Sequence, residues 1–95
     1  MVAVGWSPEA VDSALRRMHD FWETIESRME TLKGLDEEGI WDFDADYTIR
    51  KSEQENLELM AEEGLLSAEQ LESLRSIQIT VAAKKPALDL LWNSF

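Results

Sequence analysis

Residues 7–34 read SPEAVDSALRRMHDFWETIESRMETLKG, and the fold class follows from their spacing. Val11, Leu15, Met18, Trp22, Ile25, Met29 and Leu32 recur at alternating intervals of four and three, the heptad seam of an amphipathic helix, with Phe21 beside it. Its start is equally legible. Ser7 is a capping residue, Pro8 suits the first helical position, and Trp6 and Val11 stand where a hydrophobic staple closes over the cap. Gly34 after Lys33 predicts the stop. Such a helix of about 25 residues would be roughly 37 Å long and too one-sided to be stable alone. Either other helices of the chain cover the seam, or a second copy does, which makes a homodimer through this helix the alternative.

Working outward, Ser52-Glu53-Gln54-Glu55 has the form of a capping box. It predicts a second helix with a narrow apolar face of Leu57, Met60 and Ala61, closed by Gly64, with Leu65 folding back on Met60. A second box, Ser67-Ala68-Glu69-Gln70, flanked by the staple pair Leu66 and Leu71, predicts a third helix through Leu74, Ile77 and Val81. Pro86 is expected to interrupt it. Leu88, Leu91, Trp92 and Phe95 then give a short C-terminal helix. Between the first two helices, residues 35–51 are expected to be irregular because Gly39 breaks an early helix. The expectation is an all-α compact bundle of three main helices plus a short C-terminal helix, with an irregular acidic loop after the first helix, in one domain spanning 1–95.

The charge is lopsided. The chain has 20 acids and nine bases, a formal charge of −11. Thirteen acids and two bases lie between Gly34 and Ser73, and the seven acids and seven bases outside that stretch balance. Concentrated negative charge attracts a cationic surface or ion and repels phosphate backbones and anionic lipid, which argues against direct nucleic-acid or membrane binding. With no cysteine there is neither disulfide nor thiolate chemistry. No apolar run approaches the ~18 residues of a membrane span, and a soluble, cytoplasmic chain is expected.

Residues 42–53 resemble the twelve-residue EF-hand calcium loop: Asp42, Asp44, Asp46 and Glu53 occupy positions one, three, five and twelve, Thr48 the seventh and Ile49 the apolar eighth. The resemblance implies calcium held by Asp42, Asp44, Asp46, Thr48 and Glu53, because a hard cation takes six to eight oxygens. Tyr47 stands where that loop has glycine, and Gly39 leaves no room for an entering helix. The preferred reading needs no cofactor. Glu55, Glu58 and Glu62 follow at i, i+3 and i+7, one line along a helix, with Glu63 beside it. With Asp42, Asp44 and Asp46, and with Trp41 and Tyr47 as aromatic anchors, they form the expected contact set for a basic protein partner.

Catalysis has little to build on. Ser7, Ser52 and Ser67 read as caps, and His19 lacks a second imidazole or a cysteine for zinc. The chain therefore reads as a non-enzymatic acidic binding module that blocks a basic, nucleic-acid-binding-type surface, as a nucleic-acid mimic would. Antitoxins, immunity proteins and phage-encoded inhibitors share this profile of charge and size, an analogy only. Calcium binding at 42–53 and a structural homo-oligomerising subunit are the alternatives.

Overall fold

Caps set most of the element boundaries. The structure, a computed structural model, describes residues 5–93; the expectation for Phe95 lies outside them. Ser7 Oγ accepts a hydrogen bond from the Ala10 amide at 3.2 Å and opens α1 (Pro8–Glu23). Trp6 is partly buried against the core cluster that includes Val11.

The first helix does not run unbroken to Gly34. Thr24 has φ −97° and ψ 3°, and its hydroxyl donates back to the Asp20 carbonyl at 2.8 Å, competing with the helical ladder. The chain turns there into α2 (Ile25–Leu32). From the far side of the bundle, Lys84 Nζ donates to the Trp22 carbonyl at 3.2 Å, supplying a partner at the break. The seam survives the bend: Val11, Leu15, Met18, Trp22, Ile25 and Leu32 are buried and Met29 is half-buried.

The largest departure from expectation is α3 (Glu37–Glu62), a continuous 26-residue helix through the stretch expected to be a loop. Asp36 is its N-cap, accepting from the Gly39 amide at 2.9 Å, and Glu37 and Glu38 sit in the first turn, where carboxylates favour the helix dipole. Gly39 is thus the third residue of the helix, not its breaker. A Cβ there would lie 3.1 Å from the Leu35 side chain, so glycine makes room for the incoming chain. Ser52 lies mid-helix and exposed, and caps nothing.

Gly64, at φ 74°, ends α3 in a left-handed turn with two reciprocal bonds, Leu65 N–H to the Met60 carbonyl at 2.9 Å and Gly64 N–H to the Ala61 carbonyl at 3.1 Å. The amide of Leu65 reaches Met60, but its side chain is exposed, and Leu66 takes the buried place. Ser67 and Gln70 then form the full capping box of α4 (Ala68–Trp92).

Pro86 lies inside α4, so there is no separate C-terminal helix. Proline removes the donor for the Ala82 carbonyl, but Ala82 and Pro86 are both exposed, so the lost bond falls on the solvent side of the helix. Meanwhile Leu74, Ile77, Val81, Lys84, Leu88 and Leu91 keep the three-four register through the proline, so burial holds the helix together on its inner side.

The result is an all-α arrangement of four helices with no strand among the described residues. The bent α1–α2 arm is central. α1 packs most extensively on α4, next on α3, while α3 and α4 meet more sparsely and leave a groove between them. α3 and α4 cover the seam of α1 within the chain. No described helix is long and apolar enough to cross a membrane.

Candidate protein-binding face

A helix advances 100° per residue, so the carboxylates of α3 are sorted by number. Asp46, Arg50 and Glu53, at i, i+4 and i+7, point toward α1 and α2 and enter one ionic ladder. Arg17 of α1 contacts Glu53 at 2.5 Å, Arg50 lies 2.9 Å from Glu53 and 3.5 Å from Asp46, and Arg28 of α2 binds Asp46 at 2.8 Å. Arg28 also lies over two rings, 4.8 Å from the Phe21 centroid and 5.1 Å from that of Phe43. The ladder is deepest at Glu53 and Arg50, whose side chains are only 11% and 13% exposed. Glu53 Oε1 and Arg50 Nε are buried without a well-aligned hydrogen bond, so charge rather than hydrogen-bond geometry joins these two residues there.

The alternative calcium reading assumes a loop over residues 42–53, which belong to α3. Residues 42–53 are helical, so Asp42 and Asp44 diverge by about 200° around the axis instead of converging. Asp46 and Glu53 are held by arginines, and Thr48 is exposed on the helix. Among the described residues, no three histidine or carboxylate side chains gather as ligands.

The expected protein-contact set is divided in the same way. Asp46 faces inward. Tyr47 is half-buried with its ring centroid 6.3 Å from both Phe21 and Trp22, an end plug of the core. Asp42 is exposed but lines the cleft toward α2 with Arg28 and Leu35. Asp44, Glu55 and Glu62 share the opposite, outward face, together with Glu37, and make no ion pair among the described residues. Trp41, 67% exposed, borders this line one turn from Asp44. Glu58 flanks it, accepting from Gln78 of α4 at 2.8 Å. From Asp44 to Glu62 the line runs about 27 Å. Glu55, Glu58 and Glu62 form one wall of the α3–α4 groove, whose volume is about 660 Å³ and whose far side carries Leu71 and Arg75.

Positive charge is largely consumed elsewhere. Of the nine bases, Arg17, Arg28, Lys33, Arg50, Lys84 and Lys85 are in ion pairs within the chain. Sequence reasoning missed the arginine ladder. Its signal was present in part: Asp46, Arg50 and Glu53 at helical spacing announce an ion-paired face, whereas Arg17 and Arg28 arrive only through the tertiary fold.

His19 and Ser73 also meet, Nε2 to Oγ at 3.0 Å, tying α1 to α4. Both lie mid-helix, where backbone amides are spent on the helical ladder and unavailable to stabilise an oxyanion. Comparison of the chain with protein-family models, with curated proteins and with solved structures found no match.

Proposed function

We propose that this chain is a binding module that occupies a basic surface of a macromolecular partner through the outward face of α3. The contact set is Trp41, Asp44, Glu55, Glu58 and Glu62, with Asp42 at the flank toward α2; Asp46 and Tyr47 serve the fold. One observation carries the reading. On the same helix, the inward carboxylates are matched by arginines while Asp44, Glu55 and Glu62 have no ion-pair partner among the described residues, whose bases are mostly engaged elsewhere. Like charges held in line on a rigid helix repel one another mildly, a cost that a cationic partner relieves. Trp41 adds a rigid aromatic anchor at one end. A partner that uses arginines and lysines spread over about 27 Å, as nucleic-acid channels do, would be blocked by such a face.

The test is capture from the native host at low salt followed by elution with rising salt. Stopped-flow association with the captured partner should then slow steeply with ionic strength, and the E55K/E62K double variant should slow it at low salt and flatten the dependence. An on-rate indifferent to salt and to both substitutions rejects this function.

A further inference from the structure

The N-terminal half of α3 and the C-terminal end of α4 enclose a small cavity of about 50 Å³, lined by Phe43, Asp44, Tyr47, Leu88, Asp89 and Trp92. Its walls combine three aromatic rings, with Phe43 and Trp92 centroids 6.1 Å apart and tilted by 41°, and two carboxylates from different helices. Ring faces are electronegative, and so are both acids. Among the described residues, no basic one lines the cavity. Two cations lie nearby and both are matched: Lys85 pairs with Asp89 at 3.3 Å, and Arg28, which also sits over Phe43, pairs with Asp46 at 2.8 Å. The Lys85–Asp89 pair is an exposed i, i+4 contact of little worth, easily exchanged for a better cation.

We propose that this cavity binds the terminal ammonium of a primary alkylamine, supplied by a lysine side chain of the basic partner; the source of that lysine rests on the function proposed above. Donor capacity and size together select the class. A cavity of about 50 Å³ takes a few waters, room for an –NH₃⁺ group and its last methylene, and the two carboxylates favour a cation that donates N–H bonds over a trimethylammonium group, which has none. The rings supply cation–π attraction and desolvation, Asp44 supplies a charge with no ion pair of its own, and Leu88 seals the floor, 3% exposed. Asp44 thereby gains a specific role: it lies both on the outward face of α3 and at the mouth of the cavity.

The test uses the full chain and n-butylammonium chloride, with sodium chloride at equal ionic strength as reference, followed by ¹H–¹⁵N NMR. Butylammonium should give saturable shifts at the Trp92 indole N–H and at amides 43–47 and 88–89, with half-saturation on the order of 10 mM. Asp44→Asn should raise that concentration about tenfold. Glu23→Gln, the same loss of charge at the end of α1, should leave it unchanged. Shifts no larger than those with sodium, equal weakening in both variants, or tetramethylammonium binding as tightly as butylammonium would each overturn the proposal. Docking through Glu55 and Glu62 is separately readable, since these residues lie some 16 Å or more along α3 from Asp44. Salt-sensitive docking without butylammonium binding removes the ammonium pocket alone. Butylammonium binding without such docking keeps the ammonium site and rejects the lysine of a basic partner as its source.

Discussion

Glu53 and Glu55 stand two residues apart on one helix and have opposite fates. Glu53 is buried between Arg17 and Arg50, whereas Glu55 is exposed and makes no ion pair among the described residues. The two-residue offset turns one side chain about 200° from the other, so helical register alone assigns one acid to the fold and the other to the surface. The pattern extends along α3, with Asp46 inward beside Arg28 and Asp44 outward. An excess of acid in a sequence is therefore two populations, and only the outward one is available to a partner.

The largest effect expected from this division is on stability. Glu53→Ala leaves the largely covered Arg50 and its neighbour Arg17 without their shared counter-charge and should cost about 3 kcal/mol. Glu55→Ala should stay within about 0.5 kcal/mol. Urea unfolding of the two variants checks both, and equal costs would erase the distinction between the faces. On association the order reverses: reversing Glu55 and Glu62 should slow partner capture about tenfold at low salt, with little change in unfolding. Asp46→Asn lies between, since Asp46 is partly exposed and Arg28 keeps its ring contacts; a loss of about 1 kcal/mol is expected. The smallest contrast concerns the two serines that head capping-box patterns. Ser67→Ala should cost about 1 kcal/mol as a true cap, while Ser52→Ala, mid-helix and exposed, should be neutral or slightly stabilising, by about 0.5 kcal/mol or less.

Those serines also show how far the sequence could be read. The helical class, the seam of α1 and α2, the caps at Ser7 and Ser67 and the stop at Gly64 were legible as local signals that tertiary structure left in place, whereas the same capping-box form at Ser52 was absorbed into α3. Gly39 and Pro86 were misread because breaker rules apply to helix interiors and to isolated helices. Gly39 falls in the first turn behind the Asp36 cap, and Pro86 lies on an exposed face of a helix held by its buried side. The break at Thr24 left no gap in the apolar spacing and so no trace. Residues 40–57 hid their periodicity because Arg50 and Glu53 occupy inner positions where apolar side chains would have announced a helix. For the candidate site, the acidic stretch and the Glu55, Glu58, Glu62 line were visible. The loss of Asp46 to an arginine from α2 was not, since that partner comes from tertiary structure.

Sorting by register requires that residues 37–62 form one helix, and backbone ¹³Cα chemical shifts measure this residue by residue. Uniformly helical shifts from Glu37 to Glu62, unchanged by millimolar calcium, are the expected result. Random-coil shifts between Asp42 and Lys51, or a calcium-induced rearrangement there, would contradict the two-faced helix and with it the assignment of Asp44, Glu55 and Glu62 to a partner.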